Sequence, residues 1–224
     1  MPVFASFESI DFHPRITFVA GENGSGKSTL LEALAAAWGL NPEGGSKNFA
    51  FSTRESHSQL WECIRLSRSV RKARDGFFLR AESYFNVATE IEKLDEGPGG
   101  PPIISYFGGV SLHEQSHGES FFALLMNRFG GDGLYILDEP EAALSPTRQM
   151  AMVARLHQLV EEGSQFIIAT HSPILMAYPQ STIITLDSGQ MRKTAYEDTE
   201  HYRVTKYFLN NHQKMIGELI AEDK

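Results

Sequence analysis

The sequence predicts an α/β fold, a mainly parallel sheet flanked by helices, and three observations carry that expectation. Short runs rich in β-branched and aromatic residues alternate with amphipathic helical stretches. A glycine-rich loop beginning at Gly21 joins the first such run directly to the first helical stretch. A later apolar run, Leu134-Tyr135-Ile136-Leu137, ends on two acids, Asp138 and Glu139.

Arg15 to Ala20 reads as a buried strand, followed through the glycine loop by a helix over Ser28 to Trp38. Leu30, Leu31, Leu34 and Trp38 share one face of it, and Gly39 is placed to end it. Residues 40–58 are rich in Gly, Ser, Asn and Pro and read as a loop or short irregular strands, before a helix around Gln59 to Val70 with Trp61 and Ile64 directed to the core. Gly76 to Glu82 reads as a strand. The prolines and glycines of Glu96 to Pro102 suit a surface loop, because prolines lack amide donors and glycines are loosely constrained. A helix carrying Phe121, Phe122, Leu125 and Phe129 follows, ended by Gly130-Gly131. Next come the strand to Asp138, a helix over Pro146 to Glu162 and a strand over Gln165 to Thr170. A strand over Thr182 to Leu186, a hairpin through Ser188-Gly189 and a helix from Glu200 complete the order.

The 224 residues, 42% hydrophobic and 21% charged, suit one large domain, 1–224, with an inserted subdomain over about 40–130. A net charge of -8 argues against a surface built to coat nucleic acid or anionic lipid. The single cysteine, Cys63, forms no internal disulfide and is expected to be a small buried apolar residue. The N-terminus lacks a basic segment followed by an apolar one, and no apolar run approaches the ~18 residues of a membrane span. A cytoplasmic protein without membrane insertion is expected.

Gly21-Glu22-Asn23-Gly24-Ser25-Gly26-Lys27-Ser28 follows the spacing Gly-x-x-x-x-Gly-Lys-Ser, in which each part has a physical task. Glycines let the backbone wrap closely, successive amides point at phosphate oxygens, and the helix entered at Ser28-Thr29 adds its positive end. Lys27 is placed for the β- and γ-phosphates of ATP, and Ser28 for Mg2+. The second half of such a site is an acid at the end of another buried strand. Asp138 would hold Mg2+ through water and Glu139 would orient or polarise the attacking water, because phosphoryl transfer rests on positioning and charge stabilisation.

Gly24-Ser25-Gly26-Lys27-Ser28-Thr29, Leu137-Asp138-Glu139-Pro140 and Thr170-His171-Ser172 stand in the order of the ABC-superfamily ATPases, and the chain resembles that family over nearly its whole length. The resemblance implies a P-loop NTPase fold and makes His171 the switch histidine that contacts the γ-phosphate beside Glu139. It also implies a signature motif, matched by Gln115-Ser116-His117-Gly118-Glu119, with Gln115 and His117 departing from the usual Leu and Gly. Ser116, Gly118 and Glu119 would then act on ATP held by a second subunit, giving an ATP-sandwiched homodimer. More narrowly, Ser-His-Gly-Glu-Ser at 116–120 and Phe77 to Ser83 resemble small soluble predicted bacterial ATPases. Glu82 would stand there in place of the Q-loop glutamine near Mg2+ or water. Glu141-Ala142-Ala143-Leu144-Ser145-Pro146 resembles the D-loop in its non-transport form.

Two further patterns compete. His113-Glu114-Gln115-Ser116-His117 fits the zinc-protease spacing His-Glu-x-x-His, which needs all five residues in one helix and a third ligand. Arg65, Arg68, Arg71, Lys72, Arg74 and Arg80 form a local basic excess, either a solvated face or a nucleic-acid contact. The process driven by hydrolysis stays open between a transporter's nucleotide-binding subunit and an ATPase acting on nucleic acid in repair or phage defence. No long coiled-coil arm fits between Lys27 and Ser116.

Overall fold

The computed structural model describes residues 9–46, 60–69, 72–80, 116–187 and 189–221, with isolated positions at 89, 92, 95, 102, 104, 105 and 109. Strand β1 (Ile16–Gly21) leads into helix α1 (Lys27–Trp38), which Gly39 ends in the left-handed conformation that a glycine adopts without strain. A single turn, α2 (Leu60–Cys63), precedes β2 (Asp75–Arg80). Helix α3 (His117–Asn127) feeds β3 (Gly133–Asp138), then a 3-10 turn (Pro140–Ala143) and α4 (Pro146–Glu161). The chain continues through β4 (Gln165–Ala169), α5 (Pro173–Met176), β5 (Thr182–Asp187), β6 (Gln190–Lys193) and α6 (Glu200–Ala221).

The strands form one sheet in the order β2-β3-β4-β1-β5-β6. Every neighbouring pair is parallel except β5 with β6, the hairpin expected at Ser188-Gly189. Because side chains alternate along a strand, the two faces bury separate cores. Phe18, Phe77, Tyr135, Leu137, Phe166 and Ile168 pack with Leu124, Leu125, Leu156 and Leu175 on one side. Val19, Phe78, Leu134, Ile136 and Ile167 pack with Leu30, Leu31 and Leu34 of α1 on the other. Full burial of each such side chain contributes about 1.5–3 kcal/mol, so α1 is held mainly by its Leu face rather than by helix propensity.

Three expectations are corrected. The helix around Gln59 to Val70 is only the turn Leu60–Cys63 among the described residues, and residues 64–69 have no regular structure. Ile64 and Leu66, two apart, both lean on the α1 core, a spacing that suits an extended chain and not a helix. Cys63 is exposed, not buried, and Trp61 is exposed as well.

The strand ends that matter lie on one edge. Glu139 N–H donates to Ala169 O and Thr170 N–H to Val19 O, so the ends of β3, β4 and β1 are tied side by side. Chain connections diverge across this edge, where open parallel sheets hold their ligands.

Candidate active site

The glycine loop wraps tightly. Gly21, Gly24 and Gly26 have φ of 152°, 78° and 101°, and a Cβ on Gly21 would stand 2.4 Å from Leu186 O. Only glycine lets the loop pass β5 so closely. Lys27, buried, donates from Nζ to Gly21 O at 2.8 Å and to Glu22 O at 3.0 Å. Burial pushes its ammonium below the ordinary value, while the charges of Glu139, Asp138, Glu141 and Glu22 hold it partly up. Asn23 and Gly24 are exposed at the loop tip, and Ser28 and Thr29 are half-buried in the first turn of α1. Ser25 Oγ is buried with no hydrogen-bond partner among the described residues.

Ser28 Oγ donates to Asp138 Oδ1 at 3.2 Å, joining the loop to the end of β3 across 110 residues of chain. Two oxygen donors so placed are the ligand type a hard divalent cation takes. Asp138 is flanked by Arg80, whose Nε lies 3.7 Å from Asp138 Oδ2 and whose Nη1 lies 3.6 Å from Glu32 Oε2. Arg80 pairs with Asp138 in the β2–β3 register, which delivers the guanidinium there.

Glu139 departs from β3 in the left-handed region, φ 52°, which turns its side chain out of the sheet edge toward His171. His171 Nε2 lies 3.3 Å from Glu139 Oε1. That nitrogen is buried and makes no aligned hydrogen bond among the described residues. The backbone N–H of His171 donates to Glu141 Oε1 at 2.6 Å. The next turn is fixed by Ser172, whose hydroxyl accepts from the N–H groups of Ile174 and Leu175 and donates to Gln149 Oε1.

Lys27, Ser28, Asp138, Glu139 and His171 therefore converge. Ser116, Gly118 and Glu119 do not join them within the chain; their neighbours are Ala143 in the 3-10 turn and Arg148 in the first turn of α4. Ser116 caps α3, accepting from Glu119 N–H, and the Glu119 carboxylate accepts from Ser116 N–H at 3.1 Å and from its hydroxyl at 2.6 Å. These bonds hold the exposed Glu119 carboxyl below its usual range. Ser116 is extended and the helix starts only at His117, so no helix runs through position 116 as the zinc-protease pattern requires. His113, Glu114, Gln115, Ser83 and Glu82 lie outside the described residues, so the placement of Glu82 near the cation rests on sequence alone.

The basic segment is not one patch. Arg68 stacks over Trp38 at 4.2 Å, Arg74 lies 3.8 Å from Asp132, and Arg80 is turned inward to Asp138; Arg71 is outside the described residues. Sequence reasoning missed two neighbours of the site: Arg80 as a partner of Asp138, and His201, whose Nε2 lies 2.9 Å from His171 Nδ1. The strand register could have signalled Arg80; nothing in the local pattern signals His201.

A family model described as "AAA domain" matches residues 3–97. The ABC transporter G family member STR2 of Medicago truncatula is 30% identical over 172 residues, covering 70% of this chain and 24% of that protein. The ribose import ATP-binding protein RbsA of Corynebacterium glutamicum is 26% identical over 215 residues, 86% of this chain and 39% of that protein. The chain thus spans about a quarter to two fifths of the length of these relatives. CbiO1 of Clostridium perfringens, part of the ABC transporter complex CbiONQ, superposes with a TM-score of 0.47 at 20% identity, covering 93% of this chain and 88% of that one.

A strand-loop-helix cradle closed by an acid from a second strand defines a P-loop nucleoside triphosphatase. The order of its motifs and its sequence relatives are those of ABC-type ATPases, which the chain resembles. Among the described residues no helix is long and apolar enough to cross a membrane.

Proposed function

We propose that the chain hydrolyses ATP with Mg2+ at a site completed by a second copy, as one domain over 1–224 whose part between about 40 and 130 carries the signature, and that it does so in the cytoplasm. The observation that carries the reading is the pairing of Ser28 with Asp138 at 3.2 Å beside Glu139 and His171 at 3.3 Å. Amides of Asn23 to Ser28 and the Thr29 turn cradle the phosphates, and Lys27 exchanges its loop carbonyls for phosphate oxygens. Ser28 and Asp138 would hold the cation, with Glu82 a third candidate, and when bound it would supply positive charge against the phosphates. Glu139 accepts a hydrogen bond from water and aligns it with the phosphorus. His171 turns its Nε2–H to the γ-phosphate. Water's oxygen bonds to phosphorus as the bond to the leaving oxygen of ADP breaks, and water's proton passes to the phosphate products.

Ser116 and Gly118 head an ordered helix start whose neighbours are Ala143 and Arg148 and not the phosphate loop, which supports their use on the ATP of a partner copy. Glu139→Gln tests the reading: ATP binding persists, the protein elutes as a dimer with ATP, and turnover falls about 10²–10⁴-fold. Turnover near wild type removes Glu139 from its role. The relatives' names support a second reading, the nucleotide-binding subunit of a transporter, and co-purification with a membrane protein distinguishes it. Salt-sensitive stimulation by DNA or RNA would instead favour repair or defence.

A further inference from the structure

The site's histidine is held from a part of the chain that belongs to no nucleotide motif. His171 Nδ1 lies 2.9 Å from His201 Nε2 in the first turn of α6, and the two rings are tilted with centroids 5.1 Å apart. That turn is fixed to the body. Tyr196 Oη donates to Pro173 O at 2.8 Å, two residues past His171, and buried Thr199 donates to Tyr196 O. His201 is therefore not on a loose tail.

With His171 neutral, proton arithmetic selects one arrangement. The Glu139 carboxylate only accepts, so His171 must carry its proton on Nε2 to face it favourably. A neutral His171 then has a bare Nδ1, and His201 Nε2–H must be the donor to it. Burial, then the neighbouring His171, lowers the His201 pKa, which keeps that ring neutral, as this arrangement requires.

We propose that His201 is a positioning residue of the ATPase site, locking the tautomer and orientation of His171 by donating Nε2–H to its Nδ1. The proposal rests on the assignment of His171 to the γ-phosphate. The C-terminal helix α6 thereby sets the state of the switch histidine, and a displacement of its first turn frees the ring.

His201→Phe keeps a ring of similar volume without a donor, and His201→Gln keeps an amide donor at nearly the same reach. Turnover number for ATP falls about tenfold to a hundredfold in H201F, the scale seen when a group orienting a site ligand from behind is removed. KM for ATP and the affinity for a fluorescent ATP analogue stay within about threefold, and H201Q recovers most of the loss. H201F added to His171→Ala costs nothing further, because the effect passes through His171. Histidine 15N shifts of the wild type report Nε2–H on His171, and in H201F the two tautomers mix. Equal kcat in H201F and wild type, an additive loss in the double variant, or an Nδ1–H tautomer in the wild type overturns the proposal. A wild type without turnover overturns the catalytic reading of the site, while the 15N shifts still decide the His201–His171 arrangement.

Discussion

Gly118→Ala probes the contact between the head of α3 and the 3-10 turn that follows Glu139. A Cβ at position 118 would stand 2.5 Å from Ala143 O and 3.4 Å from Arg148 Nη1. The near atom is backbone, so no side chain can swing away, and the two segments must part by roughly 1 Å to reach ordinary contact. Overpacking of this kind costs about 1–3 kcal/mol. In a domain of this size 1 kcal/mol shifts Tm by about 2–4 °C, so the variant melts about 2–12 °C lower. The turn also carries Glu141, which holds His171 N–H at 2.6 Å, so its displacement reaches the histidine. Turnover should fall about tenfold to a hundredfold, as misplacements near 1 Å do. Gly130→Ala is the control: nothing lies within 4 Å of a Cβ there and its φ is not positive, so its Tm stays at or slightly above wild type. Thermal unfolding and phosphate release of both variants decide it. A G118A protein that melts within about 1 °C of wild type and turns over normally refutes the steric argument.

Lys27→Ala should abolish binding of a fluorescent ATP analogue and lower Tm as well, because Nζ also ties Gly21 O to Glu22 O; an unchanged Tm would show the strut to be dispensable. Burial raises the Asp75 carboxyl, but the bidentate bond and charge of Arg128 outweigh it, and the net direction is below the ordinary value. A depressed carboxyl contributes stability in full above its unfolded value of 3.8 and loses it as pH falls through the lower folded value. Asp75→Asn should therefore cost about 1–3 kcal/mol near neutral pH and little at strongly acid pH, measured by urea unfolding; a loss independent of pH argues against the ion pair as the cause. Tyr135, pushed up to about 12 chiefly by burial, stays protonated, so Tyr135→Phe should forfeit its hydrogen bonds to Gly130 with a loss, measured by urea unfolding, that does not vary from neutral pH up to about 10; at acid pH its hydrogen bond to Asp75 adds a pH-dependent part.

What the sequence disclosed was whatever repeats locally or is stacked by a strand. The apolar runs of β1, β3 and β4 end within a residue or so of the expected points, and that alone brings Lys27, Asp138 and His171 to one edge. Gly39 ends α1 as its backbone freedom predicts. The segment after Leu60 misled because Trp61, Ile64 and Leu66 count as apolar in any window, while only contact with the sheet shows the period to be two. Arg80 and His201 act through partners 58 and 30 residues distant in chain, a relation composition and periodicity do not carry.

The bond pair from Lys27 to Gly21 O and Glu22 O has a consequence for timing. A loop braced from within keeps its amides splayed before any nucleotide arrives, so the ordering entropy is settled during folding and not at each encounter. In the proposed cycle the lysine merely trades two carbonyls for phosphate oxygens. Capture then depends on how fast ATP diffuses in and on that exchange, and the site resets without refolding once product leaves.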